Sequence, residues 1–185
     1  MKIEEVSLEP AAPVTGESLR AVVKTKGDQA RDTDFSYSWK INGQPVLQPN
    51  SNVLDRPVFR GDYVEVTVTP IEGGASAKSA TCFVVIANAA PALRVQNQSL
   101  GADGRYEAHI LALDPENDSI TFSLRKGPPG MSIDPSMGIL QWSPGPDVHG
   151  THEVEVSAVD AQGAEAILSY QIQIRRETMG GTETK

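Results

Sequence analysis

The sequence predicts an all-β protein: two tandem antiparallel β-sandwiches joined by a short linker. Three observations carry this. Apolar and polar residues alternate along most of the chain, the period of a strand, and helical periodicity is almost absent. Turn residues punctuate the alternating runs at roughly 8–12-residue spacing. Near the middle the pattern stops at a stretch of small residues and then restarts. Each half then holds about six or seven short strands over about 90 residues, close to the ~100 of one sandwich.

In order, Leu19, Ala21 and Val23 share one face of the first clear strand. Phe35, Tyr37, Trp39 and Ile41 alternate with Ser36, Ser38 and Lys40, and Asn42-Gly43 ends that run as a hairpin turn. Val64, Val66 and Val68 alternate with Glu65, Thr67 and Thr69 before Pro70. Glu72-Gly73-Gly74 turns into the run Thr81-Cys82-Phe83-Val84-Val85-Ile86. Ala87-Asn88-Ala89-Ala90-Pro91-Ala92 reads as the linker. Beyond it Tyr106, Ala108, Ile110 and Ala112 lie on one face, then Ile120, Phe122 and Leu124. Lys126-Gly127-Pro128-Pro129-Gly130 is a turn, in which a cis bond before either proline stays open. Leu140 and Trp142 share a face ahead of Ser143-Pro144-Gly145-Pro146. Val154, Val156 and Ala158 alternate with Glu153, Glu155 and Ser157. Asp160-Ala161-Gln162-Gly163 turns into a last strand with Leu168, Tyr170, Ile172 and Ile174 inward. The expected domains are residues 1–88 and 89–176, with a flexible tail at 177–185.

Composition excludes several classes. At 39% hydrophobic and 22% charged, the chain can bury a core. Its 16 Gly and 13 Pro suit many turns. A net charge of -8 disfavours a nucleic-acid partner, which needs clustered Lys and Arg. No apolar run reaches the roughly 18–20 residues of a membrane span, so no membrane insertion is expected. A single cysteine, Cys82, forms no intrachain disulfide; its apolar run reads as core, with no His or helix N-terminus nearby to make a thiolate. Met1-Lys2-Ile3-Glu4-Glu5-Val6 has no apolar leader region, so no signal sequence is present in this chain. Two origins stay open, a cytosolic protein or a piece of a longer exported one.

Residues Ala112-Leu113-Asp114-Pro115-Glu116-Asn117-Asp118-Ser119-Ile120-Thr121-Phe122-Ser123-Leu124 resemble the cadherin-like phrase A-x-D-x-(E/D)-x-D-x-(I/L)-T-(F/Y)-x-L. Pro128-Pro129-Gly130-Met131-Ser132-Ile133-Asp134, Met137-Gly138-Ile139-Leu140-Gln141-Trp142-Ser143-Pro144, His149-Gly150-Thr151-His152-Glu153-Val154 and Ala158-Val159-Asp160-Ala161-Gln162-Gly163 follow in order. The series is similar to bacterial putative-Ig and dystroglycan-type cadherin-like domains and covers nearly all of residues 91–175. The first half is more loosely similar to PKD-like and bacterial Ig-like modules, through Phe35-Ser36-Tyr37-Ser38-Trp39-Lys40-Ile41-Asn42-Gly43 and Gly61-Asp62-Tyr63-Val64-Glu65-Val66-Thr67-Val68-Thr69-Pro70; it lacks the Gly-Asp-Gly turn typical of PKD domains. The resemblance implies Ig-like sandwiches of secreted or cell-surface bacterial proteins, often strung in arrays, and so an extracytoplasmic location in periplasm or at the cell surface.

One chemical site follows from the resemblance. In cadherin-like relatives the equivalent acidic loops bind calcium at junctions between domains. Here Asp114, Glu116, Asn117 and Asp118 crowd one loop and Asp160 lies in another, and calcium takes 6–8 oxygen ligands. Residues 89–185 hold 13 acidic and 7 basic residues, net -6, against 11 and 9, net -2, in residues 1–88. The cadherin linker phrase Asp-x-Asn-Asp-Asn is missing, and the alternative is a turn stabilised by Asx bonds. No other cofactor is expected. His149 and His152 span a turn entering a strand with no Glu or Cys to complete a zinc set, and His109 sits mid-strand. Arg60-Gly61-Asp62 reads as a turn before a strand, although it is also the integrin tripeptide. Asn97-Gln98-Ser99 and Asn117-Asp118-Ser119 match the glycosylation sequon, which is without meaning in a bacterial protein. No nucleophile elbow, phosphate loop or zinc-protease motif is present, and Glu153 and Glu155 read as a solvated face, so no enzyme is expected.

The expected function is a non-catalytic structural or adhesive module. Its partners would be other envelope or surface proteins, or neighbouring domains of a longer chain. The alternative is a glycan-binding module, for which exposed aromatics are few; Tyr63 alone has evident outward parity. A cytosolic binding protein is a third reading.

Overall fold

A computed structural model of the chain describes residues 2–26, 34–71 and 78–175. The predicted turn at Glu72-Gly73-Gly74 and the tail at 177–185 lie outside these residues. The chain divides into two compact units between Ala89 and Ala90.

The first unit holds β1 (Ile3–Glu9), β2 (Arg20–Thr25), β3 (Phe35–Ile41), β4 (Gln44–Pro45), β5 (Tyr63–Pro70) and β6 (Ala80–Val85). They form an antiparallel pair β1-β2 and a sheet ordered β4-β3-β5-β6. Val64, Val66 and Val68 of β5 and Phe35 and Trp39 of β3 are buried between the sheets with Leu8, Leu19 and Ala21. Strict alternation places them there, because successive side chains of a strand point to opposite faces. Trp39 anchors this core and donates its indole N–H to Ser51 O at 3.0 Å.

The second unit holds β7 (Ala92–Leu100), β8 (Tyr106–Leu113), β9 (Ile120–Lys126), β10 (Ser132–Ile133), β11 (Ile139–Trp142), β12 (Gly150–Asp160) and β13 (Glu165–Ile174). Its sheets are ordered β10-β11-β8-β7 and β13-β12-β9. Lettered A to G in chain order, these strands give D-E-B-A facing G-F-C, the strand order of a seven-stranded immunoglobulin sandwich. Leu140, Trp142, Val154, Val156, Ala158 and Ile110 are buried together. Trp142 donates to Pro129 O at 3.2 Å, tying the Pro128-Pro129-Gly130 turn to the core.

β1 and β7 are the strands least visible in the sequence. Both carry a register shift, between Ile3 and Glu5 in one and between Val95 and Asn97 in the other. A bulge adds a residue and breaks the period of two on which strand reading depends. The cis bond among the described residues lies at Glu9–Pro10, not before Pro128 or Pro129. The apolar run at Cys82 is also corrected. β6 is an edge strand, so Cys82 and Val84 point inward half-buried, whereas Phe83 and Val85 are 61% and 56% exposed.

Gly138 shows how closely the second unit is built. Its φ is +66°, and a Cβ there would lie 2.6 Å from Ile110 O and about 3.0 Å from the Phe122 ring. Gly43 has φ +78° but open space around it. Gly138→Ala is expected to cost more than ~2 kcal/mol in chemical denaturation, and Gly43→Ala about 1 kcal/mol. Equal costs would show that the wall around Gly138 yields.

Candidate functional site

Two features of the described surface carry chemistry: the acidic turns of the second unit and an aromatic patch on the first.

In the first acidic turn Asp114 Oδ1 accepts the N–H groups of Glu116 at 3.0 Å and Asp118 at 2.9 Å, and Asp114 O accepts the N–H of Asn117. Asn117 takes φ +60°, which its short polar side chain tolerates. Asp160 does the same at the β12–β13 hairpin. It is 5% exposed, and its Oδ1 accepts from Gln162 N at 2.8 Å and Ala164 N at 2.9 Å. Asp134 repeats the device: one oxygen accepts Ser136 N, Ser136 Oγ and Met137 N. The Met137 amide, with Ser136, holds that carboxyl below its usual range. These are Asx turns in geometry. Asp114 Oδ2 is left buried without a hydrogen-bond partner among the described residues.

The aromatic patch lies on the outer face of β5 and β6. Tyr63 and Phe83 stack with ring centroids 5.2 Å apart and planes 26° apart. Val85 pairs opposite Tyr63, and Phe83 opposite Glu65, whose carboxylate takes Lys40 Nζ at 2.9 Å. Phe59, in the turn before β5, is 57% exposed. The outward parity of Tyr63 was legible in the sequence. Phe83 and Val85 were hidden in an apolar run that does not announce which alternate residues face water.

Other candidates have structural partners. Asp62 of the Arg-Gly-Asp tripeptide accepts Phe59 N and Asn42 Nδ2, and Arg60 donates to Asn88 Oδ1 at 2.6 Å. His149 Nδ1 lies 2.8 Å from Asp147 O, whereas His152 packs edge-on against Trp142 at 4.9 Å. Half-buried His109 pairs with Asn97 and Ile139. Glu153 is bonded to Lys126, and Glu155 accepts Ser169 Oγ at 3.4 Å, along a shallow depression of about 290 Å³. Beneath the β7 edge, burial pushes the hydroxyls of Tyr106 and Tyr170 up in pKa, and the two lie 3.5 Å apart.

A family profile described as "Putative Ig domain" matches residues 84–175. Residues 84–175 belong to the putative Ig family. Among solved structures, protocadherin gamma B2 extracellular cadherin domains 3–6 are 15% identical, with a TM-score of 0.37, over 95% of this chain and 53% of that one. The fibronectin(III)-like modules of Clostridium thermocellum CbhA are 12% identical at 0.35, over 98% and 100%. The three N-terminal domains of the bacteriophage RB49 outer capsid protein Hoc are 17% identical at 0.37, over 93% and 58%. The chain thus spans about half the length of the protocadherin fragment. At these scores the likenesses are loose, and the fold stands on the strand order above. No curated protein matches the chain.

The putative-Ig domain can now be weighed as a calcium binder. Among the described residues no group of three or more His, Cys, Asp or Glu is placed to hold a metal ion. Calcium takes 6–8 oxygen ligands, and Oδ1 of both Asp114 and Asp160 is already given to turn amides. Melting of the domain in millimolar calcium and in EDTA is expected to give the same Tm, since only a ligand of the native state raises it; a rise of several degrees would restore the site. Asp160→Asn keeps an acceptor and is expected to be nearly neutral by denaturant titration. Asp160→Ala strands two turn amides and should cost about 1–3 kcal/mol.

Proposed function

We propose that the chain is a non-catalytic extracytoplasmic module of a bacterial envelope or surface protein, acting through protein contact or as a spacer. Domains of the putative-Ig, cadherin and fibronectin III types are generally extracellular, typically without catalytic activity, and mediate protein contacts. No helix among the described residues is long and apolar enough to cross a membrane.

The carrying observation is the Tyr63–Phe83–Val85 patch. It sits on the sheet face that would ordinarily be polar in a sandwich facing water. Clustered exposed apolar side chains mark interaction surfaces, and aromatic anchors dominate the energetics of protein contacts. The partner on this reading is a protein of the envelope, or a neighbouring domain of a longer chain.

A second reading, a glycan-binding module, is favoured by the same ring pair, because ring faces stack on the apolar faces of sugars. One experiment separates them. The folded chain and its Phe83→Ser variant are tested against envelope extract and on a glycan array. The expected result is a protein captured by the wild type and weakened at least about thirtyfold by Phe83→Ser, with no glycan bound. Capture insensitive to Phe83→Ser would sink the patch as contact surface. Glycan binding lost in the variant would establish the second reading.

A further inference from the structure

Asn42-Gly43 is the one Asn-Gly step in the sequence. Asparagine is a thermolabile residue, and a following glycine leaves its side-chain carbonyl open to attack. The Gly43 backbone nitrogen bonds to Cγ of Asn42. The side-chain nitrogen leaves as ammonia, taking the amide proton. Water then opens the succinimide to aspartate or isoaspartate. Water is the only co-reactant.

The turn is exposed, with φ +52° at Asn42 and +78° at Gly43, and nothing within 4 Å of where a Gly43 Cβ would stand. The asparagine side chain, however, is clamped. Its Nδ2 donates to Asp62 Oδ1 at 2.8 Å, and its Oδ1 accepts the Tyr63 N–H at 2.9 Å. The Asn42 N–H also donates to Tyr63 O at 2.8 Å. Asp62 is itself held, its Oδ2 accepting the Phe59 N–H at 2.9 Å. Cγ cannot swing toward the Gly43 nitrogen unless both side-chain bonds break.

We propose that Asn42 is a latent modification site whose deamidation is held off by Asp62 and released when that turn loosens. Conversion would replace the Nδ2 donor with a carboxylate oxygen facing Asp62. Like charges at that separation repel, so the product would free the turn that leads into Tyr63. Only this last consequence touches the contact reading of the patch; the chemistry stands without it.

The test is peptide mapping by mass after incubation of the full chain at neutral pH and physiological temperature, following the one-dalton gain at Asn42. Conversion is expected to be about tenfold slower in the native chain than in the chain denatured by guanidinium, the scale of losing one or two hydrogen bonds. Folded Asp62→Ala, which removes one of the two bonds and leaves the Tyr63 N–H on Asn42 Oδ1, should convert about threefold faster than the native chain, between the native and denatured rates. Asp62→Asn retains an acceptor and should stay near the native rate. Equal rates in native and denatured chains would overturn the proposal, as would an unchanged rate in folded Asp62→Ala. If circular dichroism shows Asp62→Ala unfolded, the native–denatured comparison and Asp62→Asn decide it.

Discussion

Short side chains that accept backbone N–H bonds hold the turns of this protein, and the register of both sandwiches depends on them. An antiparallel sheet leaves amides unpaired wherever the chain reverses, and a buried amide without a partner costs about 1–3 kcal/mol. Asp114, Asp134 and Asp160 each present one carboxylate oxygen to two or three such donors. In the first unit amides share the task with Asp62, whose Oδ2 accepts the Phe59 N–H. Asn50 accepts from Tyr37 N and donates to Phe35 O, bracing the strand that carries Trp39. Asn42 caps the start of β5.

This gives the uneven charge a physical meaning. The acidity of the second half is concentrated partly in turns, where a carboxylate is a better acceptor than an amide because it is ionised. The ion pairs add little beside it. Lys40–Glu65 joins neighbouring β3 and β5 at 2.9 Å and Arg125–Glu165 links β9 to β13 across the intervening β12 at 2.5 Å, but both remain partly exposed, where such pairs contribute roughly 0–1 kcal/mol.

The outer face of β5 and β6 departs from this economy. Inward, Val64, Val66 and Val68 complete a core. Outward, Tyr63 and Phe83 stack on each other and, with Val85, remain substantially exposed to water. Neither the turns nor the core require these aromatics, which makes this surface the place where a binding role and the fold separate.

Alternation, turn residues and the break near Pro91 were enough in the sequence to determine an all-β chain, most of its strands and both tryptophan anchors, because a period of two maps directly onto buried and exposed faces. The motifs from Ala112 to Gly163 likewise determined the family of the second half. The tertiary structure alone decided three things. It placed β1 and β7, whose bulges erase the period. It made β6 an edge, turning Phe83 and Val85 outward from a run that read as core. It also showed that Asp114 and Asp160 each give one carboxylate oxygen to two turn amides, a pairing that residue type alone cannot specify because it depends on where the neighbouring backbone lies.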